Sequence, residues 1–264
     1  MCSFNMNIIV CIKQVPETTE VKINPETNTL IREGVKSIIN PFDMYAIEEG
    51  LRLKEKFGGK AIVISMGPPQ AEAALREALS LGCDEAILIC DRAFAGSDTW
   101  ATSYTLSSAI RKINDFDLIL CGKQASDGDT AQVGPGISAH LDIPQVTYVK
   151  KIEEIKDGVM RVERMMEEGF EIIETPLPAL LTVVKEINEP RLPSLKGMIR
   201  AKSAKITVWT QKELNLDAQN IGLCGSPTQV IKIFTPPPRT GGQIFQGETS
   251  EVVNKLVELL KNEI

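Results

Sequence analysis

The sequence predicts an α/β protein built on a parallel, doubly wound sheet with helices on both faces. Short apolar runs alternate with amphipathic helical patterns through the first half of the chain, which is typical of strand–helix–strand crossovers. Later strand patterns joined by hairpin-type turns predict an antiparallel extension of that sheet. A proline-rich segment followed by a further amphipathic pattern predicts an extended C-terminal tail that ends in a helix.

The first half supplies the predicted parallel strands and the helices that connect them. One helix begins at Asn40, where the asparagine is expected to cap the first turn and Pro41 to occupy the first helical position. Its apolar spacing continues through 44–55 until Gly58 and Gly59 end it. The predicted strands are 7–15, 61–66, 86–90 and 116–121, and the other helices are 70–81 and about 99–113.

The most informative segment is 122–136, where an apolar strand runs into a Gly- and Asp-rich turn that then opens a helix. Glycines let backbone amides approach a phosphate, and the first turn of a helix favours an anion. Asp127 and Asp129 would repel a phosphate, so ribose hydroxyls or helix capping suit them better. The segment lacks the motifs of a Walker loop and of the dinucleotide fingerprint. An ordinary crossover loop shares much of this pattern, so the loop alone leaves the question open.

Other segments are predicted to meet this loop at one edge of the sheet. Ligands of open parallel sheets bind beyond the carboxyl ends of the strands. Cys11 and Met66 lie towards the ends of predicted strands, as the 122–136 loop does, and the helix start at Asn40 is a neighbour. We therefore expect a single ligand site at this edge.

Composition excludes several classes of function. A net charge of −6 argues against a general nucleic-acid role, because phosphate binding needs a basic surface. Six cysteines without metal-ligand spacing are expected to be reduced, and the single His140, expected early in a helix, suits a structural role. The apolar run 8–12 is too short for a signal peptide or a membrane span, and no later run reaches span length. We expect a cytoplasmic protein without a metal site or catalytic side chain.

The second half carries the antiparallel extension and an arm. Strands are predicted at 145–149, 159–164, 170–174 and 178–184, with hairpin turns at 157–158 and 168–169. A proline-punctuated arm follows at 188–195, and a short helix at 198–202. Local sequence favours a Leu195 tucked into its own core over an exposed contact residue.

The C-terminal tail is expected to be separate from the α/β domain. Consecutive prolines hold 235–243 extended, and 249–260 shows one apolar helical face. That face could dock on another subunit or pack on its own domain. We assign 1–234 to the α/β domain, including an arm at 188–205, and 235–264 to the tail and its helix.

Several segments, in order and across nearly the whole chain, resemble the beta subunit of electron-transfer flavoproteins. The resembling residues are 10–15, 40–43, Gly122-Lys123-Gln124-Ala125 with Asp129 and Gln132-x-Gly134, Val162-x-Arg164, 178–182, 188–191 and 237–240. Their order and spacing make accidental similarity unexpected. The pattern near Val162 departs from the family, because the acid–glycine cluster at 167–169 is arranged differently.

The resemblance implies an adenine-nucleotide-binding α/β domain that pairs with a flavin-carrying alpha subunit, on which the C-terminal tail docks. It implies nucleotide contacts at the sheet edge selected above. These are Cys11, Asn40, Pro41, Phe42, Asp43, Met66, Asp127, Gly128, Asp129, Thr130, Ala131, Gln132, Val133, Gly134, Pro135, Gly136, Ile137 and Ser138.

The resemblance also implies a partner-recognition arm at 189–205 that contacts a flavin-dependent dehydrogenase. Leu195 would insert into that dehydrogenase, which replaces the expectation of a tucked leucine. The implied arm contacts are Pro193, Leu195, Gly197, Met198 and Ile199.

The site loop resembles the electron-bifurcating branch of the family. Single-flavin members usually carry a more acidic loop and bind AMP. Gly128 and Gly136 would leave more room for a pyrophosphate-linked ligand. The resemblance therefore implies FAD reduced by NADH, with one electron passing to ferredoxin or flavodoxin. The other would pass through the alpha-subunit flavin to an acyl-CoA or 2-hydroxy-acid dehydrogenase, while this chain supplies orientation and electrostatics and is not catalytic alone.

Two alternatives stay open. One is a conventional electron-transfer flavoprotein beta subunit in which AMP only holds the fold. The other is an ATP-binding stress-type protein on a similar fold, which is disfavoured because no phosphate-cradling lysine and no metal carboxylate is evident beside the loop.

Overall fold

A computed structural model describes residues 5–17, 37–231 and 241–261. The chain forms two compact units, Met1–Ile231 and Lys232–Ile264. Residues 18–36 and 232–240 lie outside the described residues, and with them most of the predicted extended tail at 235–243; Cys2 lies outside them as well.

The first unit is an α/β layer structure. Its strands are β1 (Ile8–Cys11), β2 (Gln14–Pro16), β3 (Ser37–Ile39), β4 (Ala61–Met66), β5 (Glu85–Ile89), β6 (Leu118–Gly122), β7 (Gln145–Lys156), β8 (Val159–Met166), β9 (Gly169–Pro176), β10 (Ala179–Val183) and β11 (Thr207–Trp209). Its helices are α1 (Pro41–Phe57), α2 (Glu72–Leu81), α3 (Thr99–Ile113), α4 (Val133–Leu141), α5 (Leu195–Ser203) and α6 (Gln211–Leu214), and the second unit contains α7 (Thr249–Lys261).

The main sheet has nine strands in the order β11-β5-β4-β1-β6-β10-β7-β8-β9. The pairs from β11 to β7 are parallel, and β7, β8 and β9 pair antiparallel. Apolar residues of α1 and α2 pack on one face and those of α3 and α4 on the other, which buries both faces of the parallel strands. The predicted fold class, a doubly wound parallel sheet with an antiparallel extension, is confirmed.

The structure differs from the predicted elements in several places. The strand predicted at 7–15 is two strands, because the chain leaves the main sheet after Cys11 and β2 pairs with β3. Residues 178–184 do not join the antiparallel extension, since β10 lies between β6 and β7 and is parallel to both. The unpredicted β11 is a three-residue strand whose short pattern gave no signal. His140 lies in the last turn of α4, not early in a helix, and its ring contacts those of Trp100 and Tyr104.

Within residues 241–261 of the second unit, one regular element is present, α7. Its apolar side chains at 253, 256, 257, 259 and 260 are about half exposed. None of the described helices has the length and apolarity needed to cross a membrane.

Candidate functional site

The strand order reverses between β1 and β6, which makes their carboxyl ends a topological switch point. The chain passes from β1 to β4 and β5 on one side and then returns to β6 on the other side of β1. Such a switch point is where open parallel sheets bind ligands. Cys11 pairs in register with Ile64 of β4 and Cys121 of β6, and Met66 ends β4. The structure therefore brings the predicted Cys11, Met66 and loop together at one edge.

Asn40 ties the site loop to the start of α1. Its side chain makes no capping hydrogen bond, so the predicted capping role is wrong. Instead Asn40 Nδ2 donates to the carbonyl oxygen of Gln124 at 2.8 Å, and Asn40 Oδ1 accepts from the backbone amide of Ser126 at 3.0 Å. The side chain is 1% exposed. Both polar atoms of the Asn40 side chain therefore form hydrogen bonds with the backbone of the site loop.

Asp43 lies beneath the loop and is buried. Its Oδ2 accepts from the backbone amide of Lys13 at 2.7 Å. Burial raises the pKa of Asp43 to about 7, and hydrogen bonds from Asn40, Lys13 and Gly122 limit the rise. A Cβ on Gly122 would lie 2.3 Å from Asp43 Oδ1, so this close approach needs a glycine. Asp43 therefore supports the loop from below.

The two predicted acidic residues of the loop already have partners. Lys13 Nζ lies 2.6 Å from Asp127 Oδ1, and Gln124 Nε2 donates to Asp129 Oδ1. The backbone amide of Asp129 donates to the carbonyl of Ala125 at 2.9 Å, and Asp129 has a φ of 53°. Both carboxylates are nevertheless exposed enough to accept further hydrogen bonds from a ligand. The loop is thus held in a tight, left-handed turn.

Two of the four glycines in 122–136 allow close packing of α4. A Cβ on Gly134 would lie 2.7 Å from Thr182 Cγ2, and one on Gly136 would lie 2.4 Å from Ser103 Oγ. Gly136 therefore lets α4 approach α3 and does not leave the predicted room for a pyrophosphate. Among the described residues, nothing lies within 4 Å of a Cβ built on Gly128. The open space therefore lies at Gly128 alone.

The start of α4 offers backbone donors. The first amides of a helix have no intrahelical acceptor, and Pro135 has no amide to offer. Val133 and Gly134 supply the first-turn amides on this edge. The side chains of Ile137 and Ser138 face the core, where Ser138 Oγ donates to the carbonyl of Ile143 at 2.6 Å. They do not face the switch point.

The remaining predicted residues surround the loop, and some contributors were missed. Pro41 and Phe42 form the first turn of α1, while Thr130, Ala131 and Gln132 complete the loop and are at least partly exposed. Four residues that hold or form the loop were not among the predicted contacts: Lys13, Gln124, Ala125 and Ser126. The signal that could have found them is their place directly after β1 and β6.

The arm presents apolar side chains outward. Helix α5 begins at Leu195, three residues before the predicted start, and the Ser194 side chain caps it by accepting from the Gly197 amide at 3.0 Å. Leu195 is 71% exposed, which contradicts a leucine tucked into its own core. Pro193, Met198 and Ile199 are also exposed.

Gly197 is the exception among the implied arm contacts. A Cβ there would lie 2.1 Å from the carbonyl oxygen of Ser80, so this glycine packs α5 against the end of α2. Among the described residues, no cluster of three or more His, Cys, Asp and Glu side chains could hold a metal ion.

Sequence comparisons place this architecture in a family. Residues 27–214 match the electron transfer flavoprotein domain. The chain is 56% identical over 258 residues to an electron transfer flavoprotein subunit beta of Thermoanaerobacterium thermosaccharolyticum, covering 97% of this chain and 98% of that one. It is 52% identical, with the same coverage, to the caffeyl-CoA reductase-Etf complex subunit CarD of Acetobacterium woodii. Protein FixA of Azotobacter vinelandii is 51% identical over 89% of this chain and 86% of its own. This chain therefore belongs to the electron transfer flavoprotein family, among its beta subunits.

Proposed function

We propose that this chain is the beta subunit of an electron-bifurcating electron transfer flavoprotein and binds FAD at the switch point beyond β1 and β6. The observation that carries the proposal is the open space at Gly128, which lies between exposed carboxylates and close in sequence to the first-turn amides of α4. The similarity to a subunit of a caffeyl-CoA reductase-Etf complex supports the same branch.

The residues present fit an adenine dinucleotide. Helix-start amides at Val133 and Gly134 suit a phosphate, whereas Asp127 and Asp129 suit ribose hydroxyls. Buried Asn40 and Asp43 hold the loop that carries these groups. In this proposal the chain's contribution is to bind and orient the cofactor.

Bound flavin would supply the redox chemistry, with NADH as electron donor and ferredoxin or flavodoxin as the low-potential acceptor. The arm would present Leu195 to a flavin-dependent dehydrogenase of the acyl-CoA or 2-hydroxy-acid type. The C-terminal unit would dock on the alpha subunit through the apolar face of α7.

The deciding experiment is a cofactor count. The heterodimer with its alpha subunit is purified and denatured, and the released flavins and nucleotides are quantified by chromatography. Two FAD per heterodimer, together with bleaching by NADH and NADH-dependent ferredoxin reduction when the dehydrogenase substrate is present, support the proposal. One FAD and one AMP would reject bifurcation and leave a conventional electron carrier. ATP turnover by the purified chain would instead support a stress-type nucleotide protein.

A further inference from the structure

The arm is fastened to the domain at two places. Downstream, Arg200 Nη2 of α5 donates to the carbonyls of Leu79 and Cys83 at 2.9 and 2.7 Å. Upstream, Asn188 Nδ2 donates to Glu49 Oε2 at 2.9 Å and to the carbonyl of Tyr45 at 3.0 Å. The segment 192–196 spans the gap between these attachments.

Arg191 forms several hydrogen bonds with carboxylates of α1 at the upstream attachment. Its Nε lies 2.7 Å from Glu48 Oε2, and its Nη2 lies 3.2 Å from Glu48 Oε1 and 3.1 Å from Glu55 Oε2. Its Nη1 also donates to Glu55 Oε1, so one guanidinium engages four carboxylate oxygens of α1. The backbone amide of Arg191 donates to Glu48 as well, at 3.2 Å. Such forked geometry fixes orientation as well as distance.

The residues that follow Arg191 gain little support from their own packing. Leu192 is 90% exposed and Leu195 is 71% exposed. Pro190 and Pro193 restrict the backbone dihedrals on either side of Leu192. The direction in which both leucines point therefore depends on where the two attachments hold the chain.

We propose that Arg191 is the positioning residue of the docking arm, holding Leu192 and Leu195 in the arrangement that a flavin-dependent dehydrogenase binds. The inference rests on the proposed role of the arm. A docking segment that is already ordered loses less entropy when it associates with its partner. Removal of the Arg191 side chain should therefore weaken association with the dehydrogenase and leave the later electron transfer unchanged. Arg191 itself need not touch the dehydrogenase.

Arg191 can be replaced without stranding a buried charge. Glu48 is buried, but Arg52 Nε also lies 2.6 Å from Glu48 Oε1. Burial raises the pKa of Glu48, yet hydrogen bonds from Arg191 and Arg52 outweigh it and keep that pKa below its ordinary value. With Arg52 still in place, the variant is expected to fold.

The first test measures order in the arm directly. Backbone hydrogen exchange across 188–199 is compared in the purified heterodimer for the unaltered chain, Arg191→Gln and Arg191→Lys. We expect exchange about tenfold faster at the hydrogen-bonded amides of residues 191, 197 and 198 in Arg191→Gln and an intermediate rate in Arg191→Lys, which keeps the charge but loses the fork. The control is Arg161→Gln, which removes an ion pair with Glu153 on β7 and should leave the arm unchanged. Unaltered exchange in Arg191→Gln would overturn the inference.

The second test separates docking from electron transfer. The probe is an acyl-CoA dehydrogenase to which the unaltered heterodimer passes electrons. Arg191→Gln should raise the KM for that dehydrogenase about tenfold, with kcat within twofold and cofactor content unchanged. Glu55→Gln should produce a smaller rise that does not add to that of Arg191→Gln. A lower kcat at constant KM would refute a positioning role.

Failure of the proposed function gives a different pattern. If the unaltered heterodimer reduces no acyl-CoA or 2-hydroxy-acid dehydrogenase, the proposed function fails, and the exchange measurement still decides whether Arg191 orders the arm. If Leu195→Ala raises the KM and Arg191→Gln does not, the proposed docking role stands and only the present inference is wrong.

Discussion

The backbone amide of Ser126 donates a 3.0 Å hydrogen bond to Oδ1 of Asn40, across 86 positions of sequence. Together with the bond from Asn40 Nδ2 to Gln124, it makes one buried amide the link between α1 and the site loop. The Asn40 side chain was expected to cap its own helix. It instead forms hydrogen bonds with backbone groups of the loop, as a neighbouring strand would.

Substitution of Asn40 should therefore lower nucleotide content. Asn40→Ala removes the partner of one loop donor and one loop acceptor, both part-buried, which costs about 0.5–1.5 kcal/mol for each hydrogen bond. Asn40→Asp keeps the acceptor for Ser126 but places an oxygen against the Gln124 carbonyl, so it should lose nucleotide as well. Nucleotide released per heterodimer is the measurement. Normal content in both variants would mean that the loop does not depend on this bridge.

Asp129 should contribute through charge and backbone conformation together. Asp129→Ala removes the acceptor used by Gln124 and any ligand hydroxyl, a loss of about 1.5–3 kcal/mol for a charged partner. It also places alanine at a φ of 53°, which asparagine tolerates better. Asp129→Asn should keep more nucleotide than Asp129→Ala. Full occupancy in the alanine variant would remove Asp129 from the site.

Substitutions of Gly128 and of Gly136 should have different effects. Gly128→Leu fills the open space, so under the proposed function we expect folded heterodimer that releases one FAD instead of two. Gly136→Ala drives a methyl group into Ser103 and should cost stability, typically about 1–3 kcal/mol for overpacking. Melting temperature and flavin count together separate the two effects. Retention of both flavins by Gly128→Leu would place the pyrophosphate elsewhere.

Leu195→Ala should weaken dehydrogenase coupling without destabilising the chain. Truncating an exposed apolar residue at the centre of an interface typically costs roughly 2 kcal/mol of binding. The comparison variant is Leu181→Ala in fully buried β10, which should lower the melting temperature and leave coupling per folded molecule normal. A sharp drop in melting temperature for Leu195→Ala would show that Leu195 belongs to a core.

Stability should fall as pH rises through the titration of Asp43. The folded-state pKa of about 7 lies above the ordinary value of 3.8, so folding favours the protonated acid. This contribution is complete below pH 3.8 and is lost as pH rises towards 7, at up to ~1.4 kcal/mol per pH unit. Asp43→Asn should remove that slope. Heterodimer melting between pH 5 and 8 tests this, and parallel curves for both proteins would contradict it.

The fold class was predictable because apolar strands that alternate with amphipathic helices are visible in the local sequence. This pattern usually corresponds to a parallel sheet covered by helices. The sequence also predicted the edge that holds the site, because strand ends are readable from the chain. The partners of Asn40, Asp43 and Gly136 were not predictable in this way, since each contacts a segment at least 30 residues distant. β10 was misplaced for a related reason, as strand order in a sheet is not a local property.

Helix α1 carries Asn40 at its start and Glu48, Glu49 and Glu55 along its length, so one rigid rod holds both the ligand loop and the arm. If the arm docks a dehydrogenase as proposed, protein engineers who wish to redirect this subunit to a different dehydrogenase cannot graft 188–205 by itself. The three glutamates of α1 have to be transferred together with the arm. A chimera without them would contain the right docking residues in the wrong orientation.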